Sequence, residues 1–171
     1  MTALDARIIE AQADFTQHIS SDWALVSAGT LDDYNTMTIG WGSMGTIWGP
    51  PHKGKQVLTV YVSPARYTHS YLEQNDYFTV SFFPEQYRKD LSILGSRSGR
   101  DGDKVALTSL TPVAVEHGVD FQEAELSFVC RKLYSHQFER EKVPKEVADW
   151  IYTRVPPHTM FIGEIVEVIQ R

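Results

Sequence analysis

Cysteine is almost missing from this chain. The single thiol, Cys130, has no partner for an intrachain disulfide and suits a reducing, cytoplasmic setting. With one cysteine and no His-Glu-x-x-His element, a zinc site is not expected either. Long apolar runs are also lacking. None could span a bilayer, and the opening MTALDARIIEAQADF carries acids where a signal peptide would be basic and then apolar. Basic charge is scarce: 16 Lys and Arg stand against 22 Asp and Glu, and the net charge of −6 speaks against a nucleic-acid partner. The glycine-rich phosphate cradles G-x-G-x-x-G and G-x-x-x-x-G-K-[ST] are missing, and so is the G-x-S-x-G elbow of α/β-hydrolases. Composition alone leaves Ser-His-Asp catalysis open.

One further absence is local. From Tyr34 to Leu72 there is no Asp or Glu in 39 residues, where the whole-chain frequency of 22 in 171 would place about five. The same window holds Lys53, Lys55, Arg66, His52 and His69, whereas residues 1–50 carry six acids against the single base Arg7. An acidic protein with one acid-free, mildly basic window points to a local anion site, or to a buried strand pair.

What is present reads as one domain over residues 1–171, with a content of 42% hydrophobic and 22% charged residues that fits a packed globular chain. Leu4, Ile8, Ala11, Phe15 and Ile19 recur at helical spacing, so a helix over 4–19 is expected to pack on the rest. Strands are expected over Trp23–Gly29, Asn35–Ser43, Gln56–Val62 and Tyr77–Phe83, and near 112–115, 124–134 and 159–169. Gly49-Pro50-Pro51 breaks the chain after the second strand. A helix running to about Gln74 starts either with Pro64 in its first turn or with Thr68 as its cap. A second helix over 85–94 is expected to stop at Gly95, and a third lies near 144–153. Many strands with Gly and Pro turns and few helices predict a mainly β fold, an antiparallel barrel with short peripheral helices.

Three segments could build one site. YNTMTIGWGSMGTIWGPP, residues 34–51, puts two tryptophans among four glycines and three threonines with no charged side chain. It supplies hydroxyls, bare backbone and flat rings. Ser63-Pro64-Ala65-Arg66-Tyr67-Thr68 places a guanidinium beside a helix start, where free N–H groups and the helix dipole favour anions. Ser98-Gly99-Arg100-Asp101-Gly102-Asp103-Lys104 adds two cations and turn N–H groups. Together they suit a ligand with a planar conjugated ring at one end and phosphate at the other. The competing readings are plain: Trp41 and Trp48 as core or interface residues, Arg66 paired with Glu73, Arg100 and Lys104 paired with neighbouring aspartates. Cys130, inside the strand pattern Leu126–Cys130, reads as a buried inert thiol.

An ordered series of motifs then narrows the field: Trp23-x-Leu-Val-x-Ala-Gly29, Asn35-Thr-Met-Thr-Ile-Gly-Trp41-Gly, Trp48-x-Pro50, Arg66-Tyr-Thr68, Phe78-Thr-Val-Ser-Phe-Phe83, Gly95-Ser-x-Ser98-Gly-Arg-Asp-x-Asp-Lys104, Cys130-Arg-Lys-Leu-Tyr134 and His158-x-Met-Phe-Ile-Gly-Glu-Ile165. The series, running from about Trp23 to Val168, resembles the flavin reductase-like family of FMN-binding split barrels, in its flavoredoxin-type branch. The resemblance implies a Greek-key split barrel, usually a homodimer with FMN near the subunit interface. It also implies NAD(P)H as electron donor, with free flavin, iron or a partner protein as acceptor. Carried over by position, Asn35, Thr36, Met37 and Thr38 line the isoalloxazine and ribityl chain, with Trp41 nearby. Arg66 and Thr68, with Tyr67 between them, address the phosphate, and the loop from Ser98 through Arg100 to Lys104 closes over it. His158 borders the nicotinamide side. The chain departs from the family pattern at Ile39, where relatives often carry a small residue, and at Pro156-Pro157, where an acidic-aromatic pair is common. An electron carrier without its own reductase activity, or a flavin-binding module without chemistry, are the alternatives.

Overall fold

The computed structural model describes residues 2–50 and 53–171. Pro51 and His52, which the sequence reading placed in the chain break and in the basic window, lie outside the described residues. Alternating and β-branched segments form seven strands of one antiparallel sheet: β1 (Ala24–Thr30), β2 (Asp33–Ile39), β3 (Gly42–Ile47), β4 (Lys55–Val62), β5 (Tyr77–Phe82), β8 (Leu126–Gln137) and β9 (Thr159–Gln170). β6 (Pro112–Val115) and β7 (Gly118–Phe121) make a separate hairpin. The helices are α1 (Ala3–Gln12), α2 (Phe15–Gln17), α3 (Tyr67–Gln74), α4 (Arg88–Ser96) and α5 (Lys145–Trp150).

The strand order is β2-β1-β5-β8-β9-β4-β3, which puts β2 and β3 at opposite edges. Yet only Gly40 and Trp41 separate those two strands in the chain. Three Cα steps reach roughly 11 Å at most, so the sheet must roll until its edges nearly meet. The edges do not pair with each other. The result is a Greek-key split barrel, mainly β, with short peripheral helices. Phe78, Phe128 and Phe161, all fully buried, fill it together with Leu58, Val60 and Val62. Ile8, Phe15 and Ile19 join the same cluster from the N-terminal segment. Cys130 is also in it, and burial pushes its thiol pKa up, away from thiolate chemistry.

A second cluster forms where Leu91 and Leu94 of α4 pack with Leu25, Phe83 and Phe121. The β6–β7 hairpin is fixed beside it by Asp120, which is fully buried and accepts hydrogen bonds from Ser81 Oγ and Ser127 Oγ, each 2.7 Å, and from Arg171 at 2.8 Å. A buried carboxylate this well satisfied specifies position rather than chemistry.

Four boundaries differ from the sequence reading. The expected 4–19 helix breaks after α1, and a π-type turn, His18–Asp22, follows α2. The break lets Phe15 meet Phe82 edge-on at 5.8 Å between ring centres. The expected Asn35–Ser43 strand ends at Ile39 and restarts at Gly42, because the chain there jumps from one sheet edge to the other. Arg66, not Thr68, occupies the N-cap of α3, with no side chain capping it. Gly95 lies inside α4 and does not end it. A Cβ there would sit 3.1 Å from Thr38 Cβ, so the glycine serves a close approach of α4 to β2.

Candidate functional site

Two adjoining cavities follow the β2 edge. The first, about 180 Å³, is lined by Asn35, Met37, Arg66, Tyr67, Thr68, Arg97, Ser98, Gly99, Arg100 and Lys104 among others. The second, about 170 Å³, is lined by Met37, Thr38, Ile39, Gly40, Trp41, Tyr61, Ser63, Arg66 and His158. Met37 and Arg66 belong to both, so the two form one groove with Arg66 at its middle. Among the described residues, no Asp or Glu lines either cavity. The acid-free window of the sequence thus supplies much of these two cavities, with four cations at one end and aromatic rings at the other. A third cavity that shares Asn35, Tyr67, Gly99 and Lys104 with the cationic end carries Asp32, Asp33 and Asp103.

The cationic end is assembled by three elements. The uncapped N-terminus of α3 contributes Arg66, Tyr67 and Thr68. β2 contributes Asn35, whose Oδ1 accepts from Thr68 Oγ1 at 2.8 Å with both residues buried. The loop after α4 closes over them. Gly99 permits this, since a Cβ there would lie 2.0 Å from Asn35 Nδ2. Arg100 lies over the Tyr67 ring at 4.9 Å and donates to the Ala65 carbonyl at 3.3 Å. Arg66 donates to the Gly95 carbonyl at 3.4 Å, a long bond that leaves most of its guanidinium donors uncommitted. Lys104 is buried, and its Nζ donates to the carbonyls of Leu94 at 2.8 Å and Arg97 at 3.1 Å. Burial, and then the charge of Arg66, pull its pKa down to about 8.

At the other end, Trp41 and His158 face each other with ring centres 4.9 Å apart. Nδ1 of His158 is 3.2 Å from the Tyr152 hydroxyl. Burial, followed by the positive charge of Arg66, lowers the His158 pKa from its ordinary value, so the imidazole is neutral at pH 7.

Eleven of the twelve sequence-predicted site residues line this groove: Asn35, Met37, Thr38, Trp41, Arg66, Tyr67, Thr68, Ser98, Arg100, Lys104 and His158. Thr36 does not. It borders a neighbouring cavity of about 360 Å³, and its buried hydroxyl donates to the Val26 carbonyl at 3.2 Å and accepts from Ser27 Oγ at 2.8 Å. Alternation along β2 turns its side chain to the face opposite Asn35. Several of the others hold the protein together at least as much as they face the groove. The Thr38 hydroxyl donates to the Leu91 carbonyl, Thr68 donates to Asn35, and Lys104 ties the end of α4. Among the described residues, Arg66 forms no ion pair with Glu73, which lies 3.9 Å from His69, nor do Arg100 and Lys104 pair with aspartates. Sequence reasoning missed Arg97, Tyr61 and Tyr152. Arg97 had a signal, sitting between the predicted Gly95 and Ser98; Tyr152 had none.

A family model described as the flavin reductase like domain matches residues 16–171. No curated protein sequence matches the chain. Among solved structures, the chain is similar to an FMN-binding protein from Thermus thermophilus with bound 1-cyclohex-2-enone, at 23% identity and a TM-score of 0.65, covering 86% of this chain and 69% of that one. It is also similar to flavoredoxin of Desulfovibrio vulgaris (Miyazaki F), at 26% identity and a TM-score of 0.63, covering 87% and 69%. A third similarity is to an NADH:FAD oxidoreductase of Streptomyces globisporus C-1027, at 15% identity and a TM-score of 0.62, covering 88% and 75%. With the model spanning nearly its whole length, the chain belongs to the flavin reductase like domain family.

Proposed function

We propose that the groove holds FMN and that the protein is an FMN-dependent NAD(P)H reductase acting as one unit over the whole chain. The observation that carries this is the groove itself, with Arg66, Arg97, Arg100 and Lys104 at one end and the Trp41–His158 ring pair at the other. Its donor set fits a phosphate monoester joined to a planar ring. Arg66, Arg97, Arg100 and the free N–H groups of α3 would hold the phosphate. Asn35, Met37 and Thr38 would lie along the ribityl chain and ring, with Trp41 and His158 at the side open to a nicotinamide. When bound, FMN supplies the hydride- and electron-transfer chemistry. The chain's own part is to bind, orient and tune. Arg66 sets a positive potential at the middle of the groove, which favours an anionic reduced ring. Trp41 narrows the open side, and His158, kept neutral, offers hydrogen bonding without adding charge.

The electrons would pass to free flavin, ferric iron or a partner protein. A cytoplasmic setting fits this donor and acceptor chemistry. A homodimer is part of the same reading. Trp48 and Tyr134, 54% and 41% exposed, meet edge-on at 6.3 Å on the outside of the sheet. Trp48 holds φ at +44°, a left-handed backbone costly for a bulky residue and kept where a contact selects it. Light scattering that gives a monomer mass at micromolar concentration rejects this part.

The 26% identity to a flavoredoxin favours one second reading, an electron carrier reduced by another protein. Anaerobic mixing separates the two. A yellow protein bleached by NADH or NADPH at turnover rates is a reductase; one bleached only through a partner is a carrier. A colourless protein that takes up no FMN excludes both and leaves a module without flavin chemistry.

A further inference from the structure

Tyr152 lies just beyond α5, in the strap of residues 138–157 that joins β8 to β9. Only 6% of it is exposed. Several bonds fix the strap: Arg140 donates to the Tyr152 carbonyl, Phe138 N–H to the His158 carbonyl at 2.9 Å, and Gln137 Nε2 to the Pro157 carbonyl at 2.9 Å. The Tyr152 and His158 rings are 5.7 Å apart, and Trp41 covers His158 from another side at 4.9 Å. The imidazole is therefore clamped between a phenol and an indole.

The direction of the Tyr152–His158 hydrogen bond follows from what a buried phenol requires. An O–H without an acceptor costs more than most hydrogen bonds contribute, and among the described residues Nδ1 is the acceptor within reach. If the phenol donates to Nδ1, the proton of the neutral imidazole resides on Nε2. Nε2, which bonds no described residue, is then the nitrogen left for a ligand in the cavity that His158 lines. The charged and titratable groups facing His158 there are Arg66 from the turn before α3, Tyr61 from β4 and Tyr152 from the strap. With a guanidinium already present, a second cation is disfavoured, whereas a neutral N–H donor complements a carbonyl oxygen.

We propose that Tyr152 is a positioning residue for His158, holding Nδ1 as acceptor so that Nε2–H is presented to the carboxamide oxygen of the electron-donating nicotinamide. The nicotinamide half of this inference rests on the reductase reading above; the Tyr152–His158 half stands on the hydrogen bond and burial alone. Nitrogen-15 NMR of histidine-labelled protein reads the tautomer directly, with and without flavin, the His158 signal being assigned by its loss in His158→Gln. The expected wild-type state is Nε2–H. Tyr152→Phe keeps the ring and its packing but removes the hydroxyl. His158 then shifts to mixed tautomers with a changed protonation midpoint. KM for the reduced nicotinamide rises roughly three- to tenfold, while kcat and the FMN Kd stay within about twofold. A wild-type His158 carrying its proton on Nδ1 overturns the inference, and so does a tautomer unchanged in Tyr152→Phe. Flavin that NAD(P)H does not reduce, together with Tyr152-dependent Nε2–H, rejects the nicotinamide half along with the reductase reading and sustains the other half.

Discussion

The two ends of the groove are built by different rules. At the cationic end, the polar side chains are tied to one another or to backbone before any ligand arrives: Thr68 to Asn35, Lys104 to two carbonyls, Arg100 to Ala65 and the Tyr67 ring. At the aromatic end, one 3.2 Å hydrogen bond and a tilted ring pair do most of the positioning, and nearly half of Trp41 is exposed. A prebuilt end suits a group that stays, because little ordering remains to be done on binding. An open end suits a molecule that comes and goes.

The contrast breaks first at Arg66, which both ends share. Arg66→Ala should weaken FMN binding roughly ten- to hundredfold, as loss of a charge-assisted hydrogen bond does. Unchanged affinity in a fluorescence titration rejects it as a phosphate ligand. Gly99→Ala tests whether the cationic end is truly prebuilt. Its new methyl would collide with the buried Asn35 amide, so the loop cannot seat, and FMN affinity should drop about tenfold with little change in KM for the nicotinamide. Equal affinities for glycine and alanine would mean that the loop closes only on the ligand.

A smaller effect concerns pH. Because the native pKa of Lys104 is depressed to about 8, from an ordinary 10.5, the native state releases its proton before the unfolded chain does. This group therefore adds stability as pH rises from about 8 towards 10.5. Anion binding runs the opposite way, since the ligand favours the charged lysine. FMN affinity should fall a few-fold between about pH 7.5 and 9.5, and calorimetric titration of Lys104→Met should show that slope removed. The smallest effect belongs to the open end. Trp41→Ala should leave the FMN Kd within about twofold while raising KM for NAD(P)H a few-fold. The reverse outcome would exchange the roles assigned to the two ends.

Much of this was legible in the sequence, and the failures share a cause. The acid-free window and the order of the motifs point to the groove because charge and spacing are local properties. The strands were legible from alternation, and their Greek-key order only through the family resemblance. The Asn35–Ser43 alternation runs unbroken through Gly40 and Trp41, however, and nothing local says that the chain changes sheet edges there. Gly95 looked like a helix stop, because its reason for being glycine, the approach of Thr38, is tertiary. That Thr36 and Thr38 also donate to backbone carbonyls of β1 and α4 could not be read from the sequence, because both partners are tertiary. Tyr152 is invisible for the same reason: twenty residues of strap bring it to His158.

The link of Gly40 and Trp41 has one more consequence. Because it joins the sheet's two edges without letting them pair, β2 keeps a row of backbone N–H and C=O groups with no neighbouring strand among the described residues. Exposed edges of this kind invite pairing with other chains and are commonly blunted. Here the vacant place beside β2 coincides with the groove, so a flat heterocycle with its own donors and acceptors can stand where an eighth strand would. On the proposed reading, the seam that looks like incomplete closure would serve as a template for small-molecule pairing, and filling it would shield the barrel from strand-to-strand association.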